Sequence, residues 1–288
     1  MTATVPLPVP VGAGTRLLGE VIAWACPGVS VTHADLVRAI EDAGLDPGVA
    51  RELAPRHAFS RACKKLSDQR IIRPVAEDQT TVTFQFTQES RSDDKFEYTL
   101  ETMLSLDKQT GSVTCALPGL ATLAQEELDR CIAVRTGGDV TRVVQKLFER
   151  RADLFPIRPQ GGTYFVADQH ADFVNQIQDL LNRVGGRLRR CPVPAGTDEG
   201  DRSVTQAVAD GLAAVVAEHR AAVAQFGSDT RSDTIERAAE KIRTTKFKLT
   251  AYAEYLSGER ERLDRAVADA ERELRAKVEQ IAAEPALA

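Results

Sequence analysis

Few residues in this chain have the types and spacing that catalysis requires. The four histidines (His33, His57, His170, His219) are isolated, and the sequence contains no HExxH pair and no CxxC pair. It also lacks a GxxxxGK[ST] phosphate loop and a GxSxG nucleophile elbow. Cys63 follows His57 by six residues, and positions six apart point in different directions on a helix, which disfavours a Cys–His dyad. We therefore expect a protein that is not an enzyme and that uses no cofactor and no metal.

The distribution of charge is more informative than any catalytic motif. The net charge is −5 at pH 7, yet from Arg51 to Arg73 basic residues outnumber acidic ones by seven to two. A second basic group recurs every four residues between positions 142 and 150, so it lines one helix face. Such groups contact phosphates. The residues that we predict to bind nucleic acid are Arg56, Arg61, Lys64, Lys65, Arg73, Arg142, Lys146 and Arg150.

A solvated or protein-binding face remains the alternative for these basic residues. Glu77 and Asp78 lie in the turn between two predicted strands, where they would repel a phosphate backbone. Arg150 also has the acidic neighbour Glu149, with which an ordinary surface ion pair could form. The sequence leaves both interpretations open.

The elements that position the first basic cluster lie within residues 15–90, after a Pro/Gly-rich arm at residues 1–14. Apolar spacing predicts a helix over residues 17–24. Thr32 is a good N-cap for a second helix, and Pro55 is suited to the first turn of a third. Alternating β-branched residues then predict a hairpin.

This order of three helices and a hairpin resembles that of winged-helix proteins. The resemblance covers residues 15–90 only and rests on element order, not on a family-specific motif. It implies that the third helix, with its basic face, would enter the major groove of DNA. Winged helices also serve as protein-interaction modules, so the resemblance alone does not choose between the two kinds of partner.

Residues 91–195 form a second predicted α+β region. A hairpin over residues 96–117 extends the first hairpin into an antiparallel meander, and helices follow with another hairpin between them. Asp139 is placed as the N-cap of the helix that carries the second basic group. The repeated order of helix, hairpin and helix leaves open a second winged-helix-like unit.

Residues 196–202 have the composition of a linker, and residues 203–288 contain only helical patterns. We predict a helical hairpin or coiled-coil arm, with a kink or break at Ser257-Gly258. A first helix over residues 204–226 can cover its partner only to about residue 252, which leaves the later seam without an intrachain partner. This seam must then self-associate, lie along the N-terminal domain or bind another protein. Of these we predict self-association, through the residues Leu256, Leu263, Val267, Leu274, Val278 and Ile281.

Composition limits the compartment and the fold class. Five cysteines, odd in number and widely spaced, are typical of free thiols in the reducing cytoplasm. No apolar run is long enough for a transmembrane helix, and the N-terminus lacks the basic region of a secretory signal. We expect an α+β fold that is mostly helical.

The expected function is that of a non-enzymatic, DNA-associated protein. It would bind double-stranded DNA through its basic helices, and a homo-oligomer assembled by the C-terminal coiled coil would present two such helices. The alternative is a structural or adaptor subunit of a larger cytosolic complex, which uses the same units and the arm for contacts with proteins.

Overall fold

The structure is a computed structural model that describes residues 16–68, 70–92, 95–158 and 160–283. The predicted arm at residues 1–14 lies outside them. The strands within the described part are β1 (Leu17–Ala25), β2 (Ser30–Thr32), β3 (Arg70–Glu77), β4 (Thr81–Ser92), β5 (Lys95–Asp107), β6 (Val113–Cys115), β7 (Val134–Thr136), β8 (Phe155–Pro156), β9 (Tyr164–Ala167) and β10 (Arg187–Pro194). The helices are α1 (His33–Asp42), α2 (Pro55–Lys65), α3 (Pro118–Ala133), α4 (Gly137–Arg151), α5 (Ala171–Arg183), α6 (Asp198–Ala224), α7 (Ser232–Ala251) and α8 (Arg260–Ala283).

The predicted fold class, α+β and mostly helical with antiparallel hairpins, is confirmed. The chain divides into two compact units, each built from separate stretches rather than from consecutive ones. Of the described residues, the first unit comprises 16–24, 148–158, 160–175 and 188–283. The second unit comprises Ala25–Leu147 and Gln176–Arg187.

The prediction of a helix over residues 17–24 is wrong, because these residues form strand β1. In the first unit, β1 lies between β10 and β9, with Gly19 opposite Ala167. Ile22 and Trp24 are of the β-branched and aromatic types that strands favour. Gly19 also allows a close approach, since a Cβ there would lie 2.1 Å from a backbone carbonyl oxygen of β9. A pairing partner so distant in the chain overrides the helix-like local spacing.

Helices α6, α7 and α8 pack pairwise against one another and form the helical bundle of the first unit. Helix α6 begins at Asp198, inside the stretch whose composition suggested a linker, and has three acidic residues in its first turn. Carboxylates there interact favourably with the helix dipole. The buried side chains of the bundle and of strands β8 and β9 form one continuous apolar cluster.

The predicted break at Ser257-Gly258 is confirmed. A short 3₁₀ turn at Ala253–Tyr255 separates α7 from α8, and Gly258 adopts a left-handed φ of +74°. This turn lets α8 fold back along both earlier helices. The premise that residues after Gly258 have no intrachain partner is therefore wrong, since Leu263 and Val267 are 1% and 3% exposed within the bundle.

The second unit contains the meander β3-β4-β5-β6, whose adjacent strands are antiparallel. Helices α2 and α3 cover one face of this sheet. Phe59 of α2 packs edge-to-face on Phe84 of β4, with ring centroids 5.6 Å apart. The core beneath the two helices also contains Ala58, Ala62, Cys63, Val82, Phe86, Leu104, Leu106, Ala124, Leu128 and Cys131.

Candidate nucleic-acid interface

Helix α2 has an apolar face in the core of the second unit and a basic face directed away from it. Pro55 occupies the first turn, where its missing N–H costs no helical hydrogen bond. Ala62 and Cys63 are fully buried, whereas Lys64 and Lys65 are exposed in the last turn. Because a helix repeats every 3.6 residues, the same segment serves the core and the surface.

The N-terminus of α4 is held by hydrogen bonds between the residue before the helix and its third residue. Thr136 is the residue before the helix, and its backbone N–H and its hydroxyl donate to the Asp139 carboxylate at 3.0 and 2.9 Å. Asp139 was predicted to be the N-cap itself. The structure instead places it at the third helical position, where it reaches back to the cap.

The same carboxylate joins α4 to α2. The Arg61 guanidinium donates two hydrogen bonds to Asp139, at 2.9 and 2.6 Å, and Arg142 Nη1 lies 3.5 Å from Asp139 Oδ1. Burial raises the pKa of the Asp139 carboxyl, but the hydrogen bonds from Arg61 and Thr136 outweigh it and lower that pKa to about 2. Asp139 is therefore charged at neutral pH and neutralises part of the surrounding positive charge.

A pocket of about 410 Å³ opens where the ends of α2 and α3 approach the start of α4. Its walls include Ser30 of β2, Val134 and Thr136 of β7, and Gly138. The basic residues that line it are Arg61, Lys64, Lys65, Arg130 and Arg142.

A second pocket of about 190 Å³ shares Arg61, Asp139 and Arg142 with the first, so the two adjoin. It adds Arg51, Glu52, Arg135 and Lys146 to the lining. We call the two pockets together the basic groove, which is lined by eight basic and two acidic residues.

Not all of this positive charge is available to a ligand. Glu127, behind the groove, accepts from Lys65 at 3.0 Å and pairs with Arg130. Arg135 is buried and donates to backbone carbonyls at the end of α3, the nearest being Ile132 O at 2.9 Å. In contrast, Arg51, Lys64 and Lys146 are exposed and form no ion pair with another described residue.

The structure brings together five of the eight predicted nucleic-acid residues, namely Arg61, Lys64, Lys65, Arg142 and Lys146. The other three do not line the groove.

Arg56 forms an ion pair with Glu77 at 2.9 Å. Arg73 lies opposite Gln85 on the face of the sheet that α2 and α3 leave uncovered. Arg150 lies near the end of α4, in the part of that helix that belongs to the first unit. Sequence reasoning missed Arg51, Arg130 and Arg135 as site residues. Arg51 belongs to the basic run already noted, whereas the other two reach the groove only through the packing of α3 and β7.

The predicted oligomerisation residues are mostly unavailable to a second copy of the chain. Leu256, Leu263, Val267 and Leu274 are at most 7% exposed, because the bundle covers them. Val278 is 37% exposed and Ile281 is half-buried near the end of α8. Oligomerisation stays a prediction, but an oligomer would have to form through a surface other than this seam.

Among the described residues, no group of three or more His, Cys, Asp or Glu side chains is arranged to hold a metal ion. Of the helices in the described ranges, none has both the length and the apolar character that crossing a bilayer requires.

The chain belongs to a family of unknown function, DUF6744, whose model matches residues 17–286. No curated protein and no solved structure matches the chain.

Proposed function

We propose that the second unit binds the phosphate backbone of duplex DNA through the basic groove. The observation that carries this proposal is the convergence of α2 and α4, which are far apart in sequence, on one surface where basic residues outnumber acidic ones by eight to two. Lys and Arg side chains that neutralise phosphates release condensed counterions, which drives binding without a sequence-specific contact.

The groove geometry favours contacts with phosphates over the reading of base edges. Arg61 is the arginine of α2 that lines the groove, and both of its terminal guanidinium nitrogens already donate to Asp139. A bidentate contact with guanine would require that pair to open. Lys64 and Lys146 act as point charges, which suits phosphate binding.

The adaptor role remains the second candidate, and one specific observation favours it. Phe96, Tyr98 and Leu100 are each more than half exposed on strand β5. A row of large apolar side chains in water is typical of a surface that contacts protein. It lies on a different part of the second unit from the groove residues, so the two roles are compatible.

The test is the salt dependence of DNA binding, measured by fluorescence anisotropy with a labelled duplex. The variant Lys64→Glu with Lys146→Glu reverses two exposed charges in the groove. We expect weaker binding and a log–log salt slope that is smaller by about 2, one unit for each lost phosphate contact. Both side chains are exposed, so thermal unfolding should be unchanged.

A matched control changes the net charge equally at another place. Lys241→Glu with Arg275→Glu alters two exposed residues of the helical bundle. This control should bind DNA with nearly the affinity and salt slope of the unmodified chain. Equal losses in the two variants would show that only net charge matters, and absence of salt-dependent binding by the unmodified chain would refute the proposal.

A further inference from the structure

Strands β4 and β5 extend beyond both of their neighbours in the meander. β3 pairs with β4 only as far as Gln88, and β6 pairs with β5 only from Leu104 to Leu106. Among the described residues, 89–92 and 95–98 are therefore paired with each other alone. We call these residues, together with Thr99 and Leu100 that follow on β5, the β-ribbon. A two-stranded ribbon by itself is marginally stable in water.

One face of the β-ribbon carries a row of apolar residues along β5. Phe96, Tyr98 and Leu100 alternate along β5, so their side chains share a face, and they are 54%, 58% and 52% exposed. Opposite them on β4 lie polar residues, among which the Arg91 guanidinium is 5.6 Å from the centre of the Phe96 ring. Thr102 pairs with Phe86 and Leu100 pairs with Thr87, so Glu101 is an extra residue that forms a β-bulge. Because of this bulge, the row lies on the face of the sheet opposite to the buried Phe86.

The outer edge of β5 is also unpaired along this row. Between Lys95 and Met103, no described strand pairs with β5 on the side away from β4. An exposed edge presents N–H and C=O groups that a further strand can satisfy. The apolar face and the open edge therefore coincide on the same residues.

One antiparallel register opposes all three apolar residues of one copy to those of the other without placing like charges opposite each other. Directly opposed residues in an antiparallel pair share a face, so only alignments that shift in steps of two keep the apolar rows together. With Tyr98 opposite Tyr98, Phe96 faces Leu100 and Lys95 faces Glu101. Sliding one copy by a single step of two residues places Glu97 opposite Glu97 in one direction and opposite Glu101 in the other. Both arrangements are unfavourable, because they oppose like charges.

We propose that two copies of this chain pair edge to edge through β5, antiparallel and with a two-fold axis at Tyr98. The two β-ribbons then form a continuous four-stranded sheet, whose apolar face carries Phe96, Tyr98 and Leu100 from each copy. Lys95 of each copy then lies opposite Glu101 of the other, whose carboxylate accepts two hydrogen bonds from Arg70 of β3. The contact is small, which makes this a dimer that dissociates on dilution.

Sedimentation velocity of the full chain over a range of concentrations tests the pairing. The expected result is a dimer that converts to monomer as the protein is diluted. Tyr98→Lys places two ammonium groups opposite each other and should raise the dissociation constant about tenfold or more. Val75→Lys, at a 46% exposed apolar residue elsewhere on the same sheet, is the control and should leave it unchanged.

Disulfide trapping tests the register. In a Cys191→Ser background, which removes the exposed cysteine, Tyr98→Cys should form an intermolecular disulfide, because directly opposed residues lie within bonding distance. Val75→Cys should not. The proposal is overturned by a chain that stays monomeric at all concentrations, by a dimer that Tyr98→Lys leaves intact, or by equal trapping through both cysteines. Thermal unfolding of each variant verifies that it is folded.

Discussion

Helix α8 and strand β5 each carry a row of apolar residues, but only one of the two rows is covered by the rest of the chain. In α8, Leu263, Val267 and Leu274 pack against α6 and α7, and none is more than 7% exposed. In β5, Phe96 and Tyr98 are more than half exposed. The helical row suggested self-association in the sequence, and the strand row suggested only a hairpin.

The difference shows that the period of an apolar row predicts the conformation of the segment. It does not predict what covers the row. Spacing by three and four indicates a helix, and alternation indicates a strand. Whether another part of the chain covers the row depends on turns such as that at Gly258, which direct α8 back onto its own bundle. Charged residues differ in the same way, since Lys246 of α7 pairs with Glu271 of α8 whereas Lys64 of α2 forms no ion pair with another described residue.

The largest expected effect concerns the covered row. Leu263→Ala should lower the free energy of unfolding by about 2–5 kcal/mol, because it leaves a cavity in the bundle. Denaturant titration measures this loss, with Leu123→Ala, at a 52% exposed leucine of α3, as the control. A loss that depends on protein concentration would mean that Leu263 lies in an intermolecular interface, against the structure.

The next effect concerns the carboxylate inside the basic groove. Asp139→Asn should lower the free energy of unfolding by about 1.5–3 kcal/mol, because charge-assisted bonds from Arg61 are weakened. The same change makes the groove more positive, so DNA binding should strengthen. A variant with unchanged stability and weaker DNA binding would contradict both the structural role of Asp139 and the proposed function.

The pH dependence of this stabilisation follows from the pKa of Asp139. That pKa is lowered to about 2 in the folded chain, so the stabilisation is complete above the ordinary carboxyl pKa near 4. It is lost as the pH falls from about 4 toward 2. The stability difference between the unmodified chain and Asp139→Asn should therefore shrink over this range, as denaturant titration at successive pH values would show.

A smaller effect is expected at the turn that lets α8 cover its own row. Gly258→Ala should cost about 1–2 kcal/mol, since φ is +74° and a Cβ there would contact nothing within 4 Å, so backbone strain alone acts. Gly119→Ala in α3 is the matched control, because its Cβ is equally free and its φ is not left-handed. We expect that control to be neutral or slightly stabilising in thermal unfolding.

The smallest effect on folding is expected at the uncovered row. Tyr98→Lys should change the free energy of unfolding by less than about 0.5 kcal/mol at concentrations where the chain is monomeric, since Tyr98 is 58% exposed. Thermal unfolding of the dilute protein measures this. A large loss would show that Tyr98 supports the fold of the β-ribbon itself.

Sequence patterns predicted those elements whose determinants are local. Pro55 and the apolar face behind it correctly indicated α2, and Ser257-Gly258 indicated the end of a helix. Strand β1 was mistaken for a helix, because its pairing with β9 depends on residues far along the chain. Local spacing cannot distinguish a short apolar strand from a helix when the partner is distant.

The candidate site was predictable only in part, because some of its residues follow from local patterns and others do not. The exposed faces of α2 and α4 follow from helical periodicity, and they supplied Arg61, Lys64 and Arg142. Arg130 and Arg135 were not found, because they reach the groove through the packing of α3 and β7. Neither has a local sequence pattern that separates it from the other arginines of the chain.

The position of β1 has a consequence for the order in which the chain folds during synthesis. β1 emerges from the ribosome before its neighbours β9 and β10, which follow only after the whole meander of the second unit. At about 5–20 residues per second, β1 waits on the order of ten seconds with both edges unpaired. Arrested nascent chains should therefore become protease-resistant in the meander first, and at β1 only once residue 194 has emerged.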